Sequence, residues 1–263
     1  MNTIPLFQAD AFTTELFKGN PAAICMLDQW IPDDLMQKIA MENNLAETAF
    51  IVPYGEDYEI RWFTPTVEVA LCGHATLASA HIFMNHLGYS GKQIRFFSKS
   101  GWLIVTAEED GKFTLDFPAD PAKPTDVPDG LFEALGIMPS NVFKGKFDYL
   151  VEVRNEEEVL ALKPDFKALS VIPSRGVLVT AKGNKHDFVS RCFFPQSGID
   201  EDPVTGSAHC LLTTYWNQKT GKEQFSALQA SARTGEMICR LKGDRVLMTG
   251  NAVTVLKGEI YLG

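Results

Sequence analysis

Two short segments of the sequence could each form an anion-binding helix start. In each, a glycine leads into an apolar, helix-like run: Gly73 precedes His74, and Gly206 precedes Ser207. Backbone N–H groups at a helix start lack partners within the helix, and the helix dipole is positive there. Such a start suits a carboxylate, and two of them facing across a cleft could also stabilise an enolate-like charge. The simpler interpretation is that each glycine permits a tight turn while Ser207 or Thr205 caps its helix.

Three side chains near these segments could move or orient a proton. His74 stands at a helix start, where the dipole should lower its pKa and leave it neutral near pH 7. Glu47 precedes an apolar strand and could act as a general base. Asp202 precedes the second helix and could orient a histidine or a substrate amine. Each also has a structural explanation, since acids stabilise helix starts and a histidine can hydrogen-bond to a neighbouring loop.

An internal repeat indicates that the two helix starts belong to two copies of one domain. Three pairs of segments match in order, at offsets that increase from 130 to 134 residues. They are residues 61–65 with 191–195, 72–78 with 205–211, and 99–105 with 233–239. Three ordered matches predict a duplicated domain whose two copies each contribute one helix start.

The elements around the helix starts predict an α+β fold. The helix over 73–85 is apolar on nearly every side, so a sheet should wrap around it as a central helix. Short strands separated by glycines precede and follow it. The segment 28–42 predicts an amphipathic helix, and 155–162 is its counterpart in the second copy. A proline-rich stretch at 117–124 predicts a linker, which gives domains over 1–118 and 119–263 with the site in the cleft between them.

Composition excludes several classes of function. The chain has 263 residues, 24 Lys+Arg against 33 Asp+Glu, and a net charge of -9, with no basic cluster. Nucleic acid and anionic membranes are therefore not expected as partners. Five scattered cysteines without a CxxC pair indicate free thiols in a reducing compartment. With no secretion signal and no membrane-length apolar run, we expect a cytoplasmic location.

Several cofactor and nucleophile motifs are missing from the sequence. It has no G-x-G-x-x-G, no P-loop and no G-x-S-x-G around Ser207. The Cys72-x-His74 pair lacks the further ligands of a zinc site. We therefore expect neither a cofactor nor a metal.

Five segments carry a resemblance to a known family. They are 10–12, 19–23, 44–50, 72–76 and 201–207. They resemble the PhzF-like phenazine biosynthesis family, which shares its fold with diaminopimelate epimerase, and the resemblance runs from Phe7 to the strand over 252–258. It implies a duplicated two-domain epimerase-like fold, each domain a curved, mostly antiparallel sheet or barrel around a central helix.

The resemblance also implies an activity and a set of site residues. The phenazine enzyme isomerises trans-2,3-dihydro-3-hydroxyanthranilate by moving a proton, without metal or cofactor, and the family suggests a homodimer. The family's site residues fall on Glu47, His74, Asp202 and Ser207, with Gly73 alongside. We expect Glu47 to be the general acid and base, and His74 and Asp202 to orient a small carboxylate-bearing substrate. The amides of Gly73 and Ser207, with Gly206 beside them, would bind its carboxylate.

Other functions stay open at this stage. The epimerase relatives use two cysteines, one at each helix start, whereas this chain has Cys72 at one start and Thr205 at the other. A two-thiol racemase is therefore disfavoured, and a single carboxylate fits better. The alternatives are a racemase that depends on Cys72 alone and a non-catalytic member that binds a metabolite or a protein. A fold-level resemblance does not define the substrate.

Overall fold

The protein divides into two compact units. The computed structural model describes residues 3–138 and 140–262. Unit 1 comprises Met1–Asp116 and Thr249–Gly263, and unit 2 comprises Phe117–Met248. The first boundary lies close to the predicted one at 118/119. The C-terminal segment differs from the prediction: it groups with unit 1, although 119–263 was expected to be one domain.

Strands make up most of the regular structure in both units. In chain order they are β1 (Thr3–Ala11), β2 (Asn20–Met26), β3 (Glu47–Tyr54), β4 (Asp57–Phe63), β5 (Glu68–Val69), β6 (Gln93–Ser98), β7 (Gly101–Ala107), β8 (Phe113–Pro118), β9 (Lys123–Pro124), β10 (Val142–Lys144), β11 (Asp148–Glu152), β12 (Gly176–Lys182), β13 (Phe188–Phe193), β14 (Gln224–Gln229), β15 (Gly235–Lys242), β16 (Arg245–Gly250) and β17 (Ala252–Tyr261). The chain passes between the units within β8 and again within β16.

The helices are fewer and include the predicted ones. They are α1 (Asp33–Asn43), α2 (Gly73–His86), α3 (Leu131–Leu135), α4 (Glu156–Ala161), α5 (Phe166–Leu169) and α6 (Gly206–Thr220), with a 3₁₀ turn at Pro195–Ser197. Helix α1 begins five residues later than predicted, because Pro32 keeps an extended ψ of 140° and stands just before the first turn. None of the helices within the described residues has the length and apolar character needed to cross a membrane.

Unit 1 is a mostly antiparallel sheet. Strand β1 pairs antiparallel with both β17 and β2, and β3 pairs antiparallel with β4. Strands β6, β7 and β8 follow as an antiparallel run. The parallel pairs are β2 with β3 and β4 with β6, and each encloses one helix in the chain, α1 and α2 respectively. A parallel pair needs such a crossover connection.

Helix α2 is the centre of unit 1. Every residue from His74 to Ala80 is buried, as are Ile82 and Phe83, and the helix packs against β1, β2, β3, β7 and β17. A 14-residue helix that is buried on all sides requires strands around it. Strands β2 and β3 are buried along most of their length, since α1 covers the face opposite α2 with Met36, Ile39 and Ala40.

Unit 2 repeats this order of elements. Strand β10 pairs antiparallel with β9 and β11, and the later antiparallel pairs are β12 with β13 and β14 with β15. The parallel pairs are β11 with β12, which enclose α4 and α5, and β13 with β14, which enclose α6. Helix α6 is buried at Gly206 and from Ala208 to Trp216. The alternation of antiparallel and parallel pairs matches unit 1, so the predicted duplication around a central helix is confirmed.

Candidate active site

The start of α2 brings three of the predicted site residues together in unit 1. Glu47 is the first residue of β3, and Gly73 and His74 are the first two residues of α2. The His74 Nε2 atom lies 3.1 Å from Glu47 Oε2, with the two side chains 6% and 14% exposed. An ion pair with this little exposure is poorly screened by solvent. Two of the predicted site residues, Glu47 and His74, are therefore in direct contact, which the sequence did not indicate.

Asn20 completes the surroundings of the imidazole and was not predicted as a site residue. Its Nδ2 lies 3.1 Å from His74 Nδ1, and the residue is fully buried. The preceding residue, Gly19, is the sequence feature that could have indicated this position. Gly19 has φ +65°, and a Cβ there would lie 2.2 Å from the Ala11 carbonyl oxygen, so only glycine permits the turn that brings Asn20 to the start of β2.

The Cys72 thiol is part of the same cluster but is not a base. Its sulfur lies 3.5 Å from His74 Nδ1 and 4.0 Å from Nε2. Burial, reinforced by the negative charge of Glu47, raises the pKa of Cys72 to about 11. The thiolate is the nucleophilic and basic form of cysteine, and its population at neutral pH is small when the pKa is this high. Cys72 is thus a protonated thiol at neutral pH, beside Glu47 and His74.

The pKa of His74 moves in the direction opposite to the sequence-based prediction. Burial by itself would lower it, because an imidazolium loses its hydration. The Cys72 sulfur and the Glu47 carboxylate outweigh burial and raise the pKa well above its usual value. The prediction of a lowered pKa for His74 is therefore wrong: it considered the helix dipole and not the two groups that face the imidazole.

The start of α6 collects the remaining predicted residues in unit 2. Gly206 and Ser207 are its first two residues; the glycine is buried and the serine half-buried. The Thr205 hydroxyl donates to Asp202 Oδ2 at 2.6 Å, and the Asp202 N–H donates to the Cys192 carbonyl oxygen at 3.1 Å. Asp202 is thus held in a fixed turn that leads directly into the helix.

Two buried polar side chains border that turn, and neither was predicted. The Gln229 side chain bonds to both Asp202 and Thr205. His209 Nδ1 lies 2.8 Å from the Thr205 carbonyl oxygen, and burial lowers the pKa of His209 to about 4, so its imidazole is neutral at pH 7. No local sequence pattern marks Gln229, because it lies at the end of a strand 24 residues after Thr205.

The cluster in unit 1 also offers atoms of metal-ligand type. Glu47, Cys72 and His74 each present one such atom, and the three atoms lie within 4.8 Å of one another. The sequence showed only the cysteine and the histidine, so the carboxylate adds a third member. A set of three with an open position has the composition of a catalytic zinc site. A metal would have to displace the proton of a thiol whose pKa is about 11 and break the ion pair between Glu47 and His74.

The comparisons with known proteins give the class of this chain. The family model for phenazine biosynthesis-like proteins, PhzC-PhzF, matches residues 9–258. The chain belongs to this family. It is 49% identical to an uncharacterized isomerase of Halalkalibacterium halodurans over 267 residues, which covers 100% of both proteins. The predicted family and the prediction of an isomerase are thereby confirmed.

Solved structures agree with the family assignment. The crystal structure of a phenazine biosynthesis protein of the PhzF family from Enterococcus faecalis has a TM-score of 0.96 at 44% identity, covering 99% of this chain and 100% of that one. A hydroxyproline epimerase from Agrobacterium vitis has a TM-score of 0.64 at 12% identity, covering 99% of this chain and 93% of the other. The second likeness concerns the fold alone, and it confirms the predicted epimerase-like α+β architecture.

Proposed function

We propose that this isomerase moves a proton from one carbon to another on a small carboxylate-bearing substrate, with Glu47 as the acid and base. One observation carries the proposal: the Glu47 carboxylate lies 3.1 Å from the buried His74 imidazole. The Glu47 carboxylate is one of the groups that raise the pKa of His74, which favours the protonated imidazole. The positive charge of that imidazole stabilises the Glu47 carboxylate, which is the form that can accept a proton.

The proposed reaction needs no other reactant. The Glu47 carboxylate removes an acidic C–H proton, and the electron pair left on that carbon moves into the adjacent conjugated system. The resulting carboxylic acid exchanges its proton with solvent and then delivers one proton to a different carbon, which regenerates the carboxylate; in deuterated water the delivered proton is a deuteron. Substrate and product have the same atoms and the same oxidation level. His74 holds the carboxylate in place during both steps.

The residues at the two helix starts would bind the substrate. The N–H groups of Gly73 in unit 1, and of Gly206 and Ser207 in unit 2, belong to first helical turns, where a carboxylate is favoured. Asp202 would accept hydrogen bonds from a substrate amine. A compound with both groups on a small ring is trans-2,3-dihydro-3-hydroxyanthranilate, which we propose as the first substrate to test.

The two alternative functions have less support. A racemase that depends on Cys72 needs a thiolate, whereas the pKa of Cys72 is about 11. A two-thiol racemase would in addition need a second thiol at the start of α6, where Thr205 stands and donates its hydroxyl hydrogen to Asp202. A non-catalytic binding protein would not require an ionised carboxylate paired with a protonated imidazole, and this pair favours proton transfer.

We propose in addition that the protein is a cytoplasmic homodimer that acts on small molecules. The family resemblance supports the dimer. The five cysteines are all free and buried, which fits a reducing compartment. Light scattering of the purified protein measures the mass: a value of two chains supports the dimer, and a value of one chain contradicts it.

The experiment is proton exchange in deuterated water. Wild-type protein and Glu47→Gln are incubated with trans-2,3-dihydro-3-hydroxyanthranilate and a panel of small amino and cyclic carboxylic acids, and NMR follows the carbon-bound protons. We expect deuterium in one substrate with wild type only, and a loss of about 10³-fold in rate for Glu47→Gln. Circular dichroism checks that the variant is folded. Equal rates for the two proteins would contradict the role of Glu47, and Cys72→Ala then tests the racemase.

A further inference from the structure

We infer that Gln229 is a positioning residue that holds Asp202 and the start of α6 in the arrangement needed for substrate binding. This inference rests on the substrate-binding role proposed for Asp202. Gln229 is the last residue of β14 and is fully buried. Burial of a carboxamide costs free energy unless its oxygen and its N–H groups are hydrogen-bonded. The groups that bond to the Gln229 side chain therefore indicate its role.

Both ends of the Gln229 carboxamide bond to the turn before α6. The oxygen Oε1 accepts a hydrogen bond from the Thr205 backbone N–H at 2.8 Å. The nitrogen Nε2 donates to the Asp202 carbonyl oxygen at 2.7 Å and to the Thr205 hydroxyl at 3.2 Å. Because a backbone N–H only donates and a carbonyl only accepts, the orientation of this amide is determined by its partners. One side chain therefore bridges the first and last residues of the Asp202–Thr205 turn.

The same contacts set the direction of the bond to the Asp202 carboxylate. The Thr205 hydroxyl has one hydrogen, and it accepts the hydrogen bond from Gln229 Nε2. Its own hydrogen then points to Asp202 Oδ2, 2.6 Å away. Gln229 thus acts on Asp202 in two ways, on the backbone through the carbonyl oxygen and on the carboxylate through the hydroxyl. A side chain of the same size without polar atoms would lose both the bond to the Asp202 carbonyl oxygen and the bond to the Thr205 hydroxyl.

The backbone of Gln229 and the turn that it contacts are both held by further hydrogen bonds. The Gln229 backbone lies within the sheet of unit 2, opposite Gly235 on the antiparallel side and Ser190 on the parallel side. Two further bonds hold the turn: the Asp202 N–H donates to the Cys192 carbonyl oxygen in β13, and the Ser231 hydroxyl, in the loop after β14, donates to the Pro203 carbonyl oxygen at 2.8 Å. Substrate-binding groups keep their geometry when the residues behind them are locked in this manner.

The test compares Gln229→Met with Ser190→Ala. Methionine keeps the length of the side chain and removes its polar atoms, whereas Ser190→Ala removes a buried hydroxyl from the neighbouring strand without touching the turn. Hydrogen exchange measured by mass spectrometry reports on the amides of residues 202–206. Kinetics of proton exchange on trans-2,3-dihydro-3-hydroxyanthranilate, or on whichever panel compound wild type turns over, give kcat and KM. Thermal unfolding shows whether each variant is folded.

We expect Gln229→Met to speed amide exchange at 202–206 and to raise KM about tenfold, while kcat changes by less than about threefold. Ser190→Ala should change neither the exchange nor KM. Gln229→Glu keeps the acceptor for the Thr205 N–H but places a carboxylate oxygen against the Asp202 carbonyl. It should therefore retain part of the protection and still raise KM.

A double-mutant cycle separates positioning from packing. If Gln229 acts through Asp202, Gln229→Met should add little to KM in an Asp202→Asn background. Additive effects on KM, or faster exchange at 202–206 with an unchanged KM, would overturn the inference. If wild type turns over none of the compounds, the proposed function fails separately, and hydrogen exchange alone decides the positioning: unchanged protection in Gln229→Met overturns it, and lost protection supports it.

Discussion

At the start of α2, the second helical residue is a buried histidine paired with Glu47, whereas at the start of α6 it is a half-buried serine that follows the Asp202 turn. Both helices begin with glycine, occupy the same place in the order of elements and are buried along their length. The backbone of the two sites is therefore alike, and the chemistry differs through the few side chains that surround it.

The difference lies in what supports each carboxylate. Glu47 faces an imidazole whose pKa is raised, so the pair can hold and release a proton. Asp202 faces a threonine hydroxyl and a glutamine behind it, and these fix its position. The nearest histidine in unit 2, His209, is neutral and bonds to the backbone. Under the proposed function, one copy of the duplicated domain supplies the proton-transfer residues and the other supplies binding residues.

Substitution of His74 gives the largest effect expected among the supporting residues. His74→Gln keeps a hydrogen-bond donor beside Glu47 but removes the positive charge. We expect kcat for proton exchange to fall about 10²-fold with a small change in KM. His209→Gln at the other helix is the matched control and should change kcat far less. Equal losses of kcat in His74→Gln and His209→Gln would contradict the proposed difference in function between the start of α2 and the start of α6.

The Asp202 carboxylate should affect binding instead. Asp202→Asn keeps the size of the side chain and loses the charge that would accept a substrate amine. We expect KM to rise about tenfold and kcat to stay within about threefold of wild type. Steady-state kinetics measure both constants. A loss confined to kcat would place Asp202 in the proton-transfer step and contradict the binding role.

The raised pKa of His74 makes stability depend on pH in a predictable direction. Because the folded pKa exceeds the unfolded value of 6.5, the His74 contribution is complete below pH 6.5 and is lost as pH rises through the folded pKa. We expect the stability difference between wild type and His74→Gln to fall by about 1.4 kcal/mol per pH unit in that window.

Urea unfolding between pH 6 and pH 9 measures this slope. His81→Gln, on the same helix, is the control, because burial lowers the pKa of His81 to about 4 and that group does not titrate in the window. The stability difference between wild type and His74→Gln should change with pH more than the difference between wild type and His81→Gln. If the two differences change equally, the ion pair between His74 and Glu47 does not form in solution.

Cys72 should give the smallest effect of all. A protonated thiol transfers no proton, so Cys72→Ser should keep kcat within about threefold of wild type. Treatment with a chelator should leave kcat unchanged as well, since the proposed reaction uses the side chains alone. A large loss in the variant together with unchanged activity in Glu47→Gln would favour the Cys72 racemase. A large loss on chelation would indicate a metal at Glu47, Cys72 and His74.

The sequence was sufficient for the features that depend on local patterns. The central helix over 73–85 follows from its apolar composition, and the duplication follows from three ordered matches, so both could be predicted. Side chains in the short segments that carry the family resemblance, such as Glu47 and His74, could be nominated as site residues. The structure then shows that these two lie together.

What the sequence did not provide are contacts between distant segments. The pKa of His74 depends on a carboxylate from another element, and the sequence showed only the helix dipole. Gln229 acts on a turn 24 residues away in the chain. The pairing of β17 with β1 joins the two ends of the sequence, and the pattern of residues 252–262 alone left open whether they complete the second domain or the cleft.

The pairing of β17 with β1 has a consequence for the order of folding during synthesis. Unit 2 lies wholly within the chain of unit 1, so its 117–248 segment leaves the ribosome before β17 does. Until then one side of β1 lacks its partner strand, and unit 1 can be completed only after β17 has been synthesised. Because Thr3 pairs with Tyr261, strands β1 and β17 are neighbours, and a short linker from β17 to β1 should permit a circular permutant that begins near the boundary between the units.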